Sequence, residues 1–116
     1  MLVFVKFSEP LNQVCEARSC SFSPGTNTLA GGASRRAQPH DLVITKDMDK
    51  TSQALFRYST SGTLFRSVVI ELRRNAKSDA HLTYECSDVL ISSFVPSGPL
   101  ETVSLSFTGL KASYAH

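Results

Sequence analysis

Hydrophobic positions recur at every second residue through most of this chain, and the period changes only once. Leu2 to Phe7 alternates, with Val3, Val5 and Phe7 on one face and Leu2, Phe4 and Lys6 on the other, until Pro10 stops it. Val14 to Phe22 repeats the device: Val14, Glu16, Arg18 and Cys20 oppose Cys15, Ala17, Ser19 and Ser21, a pattern that specifies register weakly. His40 to Thr45 carries Leu42, Val43 and Ile44 and reads as a strand. Thr63 to Arg73 is the strongest strand, with Leu64, Val68, Ile70 and Leu72 on one side and Phe65 and Val69 on the other. Apolar residues on both faces predict a central strand covered on each side. After a polar turn at Asn75 to Asp79, Leu82, Tyr84 and Cys86 alternate with Thr83, Glu85 and Ser87, completing an antiparallel hairpin. Val89 to Val95 continues as a further strand and Pro96 to Pro99 turns it. Thr102 to Tyr114 then alternates Val103, Leu105 and Phe107 before Gly109 permits a bend or bulge.

The period changes at Thr51. Leu55 and Tyr58 fall at i and i+3, Thr51 can accept from the free backbone N–H groups of the following turn, and Gly62 supplies a left-handed stop. A helix from Thr51 to about Ser59 follows. Two turns do not persist alone in water, so Leu55 and Tyr58 must dock on a sheet. Five to eight short strands and one helix describe a mainly β, single-domain chain over residues 1–116, a small antiparallel β-barrel or sandwich. Between the second and third strands, Ser23 to Pro39 reads SPGTNTLAGGASRRAQP. It holds the breakers Pro24-Gly25, Gly31-Gly32 and Pro39 and no sustained period, and so long a loop in so small a domain is usually functional or disordered.

Composition narrows the function classes. The net charge of +2 comes from twelve basic residues scattered among ten acidic ones, so no basic stripe exists to track phosphates, and nucleic acid is not implied. No apolar run is long enough to insert in a membrane, and LVFVKF is too short for a signal core, so export would need a dedicated machine. Cys15, Cys20 and Cys86 make an odd count, which favours buried reduced thiols over a disulfide framework. Asp47 and Asp49 resemble the opening of a calcium loop, but Ser52 and Tyr58 occupy the positions that need Gly and Glu. His40, His81 and His116 share no ligand spacing, and neither a nucleophile elbow nor a Gly-rich phosphate cradle is present. The expectation is therefore no catalytic residue, no metal and no cofactor. Of the two adjacent basic pairs, Arg73-Arg74 reads as solvated strand-end charge, and Arg35-Arg36 as a weak interface candidate in the long loop.

The string TKDMDKTSQALFRYSTSG, followed by TLFRSVVIELRR, resembles the signature of the type VI secretion tube proteins, the haemolysin-coregulated protein (Hcp) family. LTYECSDVLISSFVPSG and PLETVSLSFTGLKASY are similar to that family's closing strands, so the resemblance covers about residues 19 to 114. Against that family the segment between Phe7 and Val14 is short. The resemblance implies a structural subunit of a hexameric ring. Rings would stack into an inner tube that carries effector proteins, with sheath and spike proteins as further partners, assembled in the bacterial cytoplasm and secreted without a cleaved signal peptide. It also implies that the long loop reaches neighbouring subunits, which makes Pro24, Gly25, Gly31, Gly32, Arg35 and Arg36 subunit-interface candidates. The alternative from another class is a monomeric secreted β-sandwich that binds a ligand. Without Trp, that module would have only Tyr58, Tyr84, Tyr114 and scattered Phe for its platform.

Overall fold

The computed structural model describes residues 2–23, 40–75, 77 and 80–114. Its strands are β1 (Leu2–Phe7), β2 (Gln13–Ala17), β3 (Ser19–Ser23), β4 (His40–Asp47), β5 (Leu64–Arg73), β6 (Leu82–Ser97), β7 (Leu100–Phe107) and β8 (Gly109–Tyr114). The helix α1 (Ser52–Ser61) stands between β4 and β5. The sheet runs β2-β1-β5-β6-β7-β4-β3, and β8 pairs with β6 beside that path. Every pairing is antiparallel.

The two ends of this path, β2 and β3, are neighbours in sequence with only Arg18 between them. The expected strand from Val14 to Phe22 is thus one chain broken at Arg18. Its first half pairs with β1 and its second with β4, and the Arg18 N–H donates to the Thr45 carbonyl at 2.7 Å. The sheet curls until one bent segment serves both of its edges, so no continuous ladder closes it. Inside lie Val5, Leu42, Ile44, Leu55, Phe65, Val68, Ile70, Val89, Val103 and Leu105, all without solvent exposure. Each such side chain contributes about 1.5–3 kcal/mol of burial.

The two-sided apolar pattern of β5 has a different cause from the one expected. Val68 and Ile70 point inward, as does Phe65 at the opposite parity, whereas Leu64 is 55% exposed. The partner strand switches face at the same level. Cys86 is buried, Asp88 takes a left-handed φ of 54°, and Val89 and Ile91 are then buried. Pairing joins Phe65 to Val89 and Ser67 to Ser87 around this kink. β5 is central in the sheet, but its second apolar set marks a face switch instead of a second covering layer. The strands expected at Leu82 to Ser87 and Val89 to Val95 are one sixteen-residue strand, bulged between Ile91 and Ser93.

The helix forms where the period changes, and Gly62 ends it at φ 70°. Leu55 is buried and Tyr58 packs edge-on to Phe65 with ring centroids 5.5 Å apart, as the spacing requires. The start is capped differently from expectation. Thr51 makes no side-chain cap; its backbone is already helical, and its hydroxyl donates back to Asp49 Oδ1 at 2.6 Å.

Candidate interaction surfaces

Three features stand apart from the apolar core: an open strand edge, two contrasting outer faces, and a buried polar cluster where β4, β7 and α1 meet. The edge belongs to β8. It pairs with β6 from Leu82 to Ser87 on one side, and among the described residues no strand pairs with its other side. Register places Leu110, Ala112 and Tyr114 opposite Cys86, Tyr84 and Leu82, on the face that elsewhere turns into the core. Among the described residues no second layer covers it here: Leu110 is 46% and Tyr114 71% exposed. Unpaired backbone groups beside an uncovered apolar row form a template for pairing with another chain, and Lys111 is the only charge along it.

The outer faces differ in kind. Across β6, β7, β4 and β3, one outward row reads Val95, Thr102, Thr45, Ser19, and the next Ser93, Ser104, Val43, Ser21. Short hydroxyl side chains dominate it. Two charges flank these rows on β4: Asp41, which accepts from the Ser106 hydroxyl at 3.0 Å, and Asp47, which pairs with Arg18 at 2.9 Å. Across β8, β6, β5, β1 and β2 the outward rows read Ser113, Thr83, Glu71, Phe4, Glu16 and Lys111, Glu85, Val69, Lys6, Val14. This face is charged and bulky. Glu71 takes Lys6 at 2.9 Å and Arg73 at 2.7 Å, and the Arg73 guanidinium lies 5.6 Å from the Phe4 ring centre. The hydrogen bonds from Arg73, ahead of the opposing effect of burial, hold the Glu71 carboxyl below its usual range. Arg73 is therefore engaged rather than a solvated end charge, while Arg74 is exposed as expected.

The polar cluster sits where β4, β7 and the start of α1 meet. Lys46 is fully buried and Glu101 nearly so, yet both continue the inward rows of their strands. The Lys46 ammonium donates to Glu101 Oε1 at 2.7 Å, to the Asp47 carbonyl at 3.0 Å and to Asp49 Oδ1 at 3.1 Å. The Ser52 hydroxyl donates to the same Glu101 oxygen at 2.8 Å. Burial alone would push the Lys46 amine down, but its bonds to Glu101 and Asp49 outweigh it and raise the value. Burial likewise works to raise the Asp49 carboxyl, and the bonds from Thr51 and Lys46 bring it below the usual range.

The remaining chemistry is quiet. Cys15, Cys20 and Cys86 are free thiols; burial pushes Cys15 up to about 11 and Cys86 up to about 12, and raises Cys20, so none is a ready nucleophile. Asp47 pairs with Arg18 at 2.9 Å and Asp49 with Lys46. Among the described residues no group of three His, Cys, Asp or Glu side chains could hold a metal. Phe56 and Phe94 stack edge-on at 5.9 Å, and Phe56, Met48 and Val95 are exposed. The interface candidates Pro24, Gly25, Gly31, Gly32, Arg35 and Arg36 lie outside the described residues. Sequence reasoning missed the β8 row and the Lys46–Glu101 pair. Both were visible as parity, Leu110, Ala112 and Tyr114 as one set, and Lys46 and Glu101 in line with Ile44 and Val103.

A family model described as "Type VI secretion system effector, Hcp" matches residues 16–114. The fold is similar to that of Hcp1 from Salmonella typhimurium, with a TM-score of 0.79 at 23% identity over 97% of this chain and 85% of that one. Hcp2 from the same organism gives 0.75 at 22% identity, covering 100% and 87%. A chain in the sheath-tube complex of an extracellular contractile injection system gives 0.71 at 15% identity, covering 97% and 88%. No curated protein matches the chain by sequence.

Proposed function

The chain belongs to the Hcp family of the type VI secretion system, and on that basis we propose that it is a structural subunit of the system's inner tube. Six copies close into a ring, rings stack, and effector proteins travel inside. The observation that carries this reading is β8, an edge strand whose apolar row none of the described residues covers. A soluble monomer would have to hide such an edge, whereas a ring of head-to-tail contacts uses it at every junction. The two outer faces then divide the work. The hydroxyl face suits the channel, because short uncharged side chains make weak, exchangeable hydrogen bonds that let a cargo protein pass. The charged face suits the exterior. Sheath and spike proteins are the partners this role entails, with assembly in the cytoplasm and export through the apparatus. No step in it asks for catalysis. The loop residues Pro24, Gly25, Gly31, Gly32, Arg35 and Arg36 we assign to contacts between stacked rings.

Light scattering tests the reading directly. The purified chain should run at several times its 12.7 kDa mass, with closed rings in electron micrographs and a contact area above the ~800 Å² total of crystal contacts. A monomer at micromolar concentration would sink it and favour the ligand-binding module. Replacing Asn27 to Arg36 with a short Gly-Ser linker should leave rings intact and weaken stacking.

A further inference from the structure

β4 and β7 can align in more than one way as far as their apolar pattern is concerned. Inward, Leu42 faces Leu105 and Ile44 faces Val103; outward, Val43 faces Ser104 and Thr45 faces Thr102. A slip of two residues would set Ile44 against Leu105, Leu42 against Phe107 and Thr45 against Ser104. Apolar would still meet apolar inside, and small polar residues would still line the outside. Hydrophobic alternation forbids slips of one residue and is blind to slips of two. No tight turn fixes this pair either: β6 and β7 are joined by the short turn at Gly98-Pro99, but β4 and β7 are separated by α1, β5 and β6.

Among inward pairs whose side chains are described, the one that cannot be exchanged is Lys46 with Glu101. In the slipped alignment Lys46 would face Val103, and Glu101 would lose the ammonium it meets at 2.7 Å. Its second partner is equally position-bound, because Ser52 at the head of α1 donates to the same carboxylate oxygen. We propose that the Lys46–Glu101–Ser52 cluster is a register key: it selects the observed alignment of β4 on β7 and the seat of α1, and adds little to stability over an apolar pair. Buried charges are costly to desolvate, and replacing both by well-packed apolar residues is often neutral or stabilising, whereas a polar residue at one buried position can choose among otherwise equivalent packings. The inference stands apart from the tube reading and holds whether or not rings form.

Cross-strand disulfides report the alignment, since two cysteines bridge only when their Cα atoms lie within roughly 7 Å. The pair Thr45→Cys with Thr102→Cys reads the observed register, and Thr45→Cys with Ser104→Cys reads the slipped one. Each is made in the parent chain and with Lys46→Met plus Glu101→Leu, then oxidised and mapped by mass spectrometry. The parent should form only the first bridge. The apolar variant should melt at or above the parent's temperature and form both, the slipped bridge in a fraction at least roughly tenfold above the parent's. A folded apolar variant that forms only the first bridge overturns the proposal. Lys46→Leu with Glu101→Met serves as a second apolar pair. If neither pair folds, the cluster is a requirement of the fold itself, and the proposal fails on that count.

Discussion

β7 and β8 are almost one strand, separated by Thr108 alone and both lying antiparallel along β6, yet they live in different surroundings. β7 alternates half-buried and buried residues over its whole length; no residue of β8 is buried. Their patterns are alike on paper, Val103, Leu105 and Phe107 in one and Leu110, Ala112 and Tyr114 in the other. The difference is what stands opposite. β7 has β4 on its second edge and the core beneath it, while β8 has neither among the described residues. An alternating strand states which of its faces wants cover. It does not state whether the cover comes from its own chain.

The sharpest way to break this contrast is at the anchor of β7. Lys46→Met leaves Glu101 buried without its cation and should cost about 3–5 kcal/mol, read from urea unfolding. A variant that unfolds like its parent would mean the cluster is wetter than the geometry implies. Leu105→Ala, in the fully buried row, should cost about 2–5 kcal/mol by the same measurement.

Acid should act at two carboxyls, one beside the anchor of β7 and one on the charged face. Asp49, beside the anchor, and Glu71 have carboxyls held below their unfolded values. Their contribution is present above the unfolded carboxylate range near about 4 and is lost as pH falls through the folded values. Melting temperature followed from neutral pH downward should therefore drop below about pH 4, and less so in Asp49→Asn. Lys46 behaves in the opposite sense: with its amine raised, its contribution is complete below about 10.5 and fades only as pH climbs past the folded value. The smallest effect on stability belongs to β8. Leu110→Ser with Tyr114→Ser should shift the unfolding free energy of the isolated chain by about 0.5 kcal/mol or less, while light scattering shows assembly lost. A large stability loss with assembly intact would reverse the contrast.

Much of this architecture was legible from alternation. Val3, Val5 and Phe7, then Leu42 and Ile44, then Val103, Leu105 and Phe107 all take the inward positions that period two assigns them. Leu55 and Gly62 marked the helix for equally local reasons. Illegible were the events that shift parity inside a strand. The left-handed Asp88 and the bulge at Ser92 exchange the faces of β6, and no residue type there demands it. Arg18 looked like one more alternating position, and only the sheet's curl makes it the corner between β2 and β3. Lys46 and Glu101 were hidden differently: charged residues read as outward by default, and only a partner 55 positions away makes an inward lysine tolerable.

Gly109 shows what one missing carbon allows. A Cβ there would stand 3.3 Å from the Ser87 side chain, so β8 lies close against β6 and any other residue would need that side chain to give by a few tenths of an ångström. β6 is bound along its first half by β5 and β8 and along its second by β7, which makes it the common spine of both regions. A pull delivered at β8 along the strand direction would load those ladders in shear, where many bonds must yield together, instead of peeling them one by one.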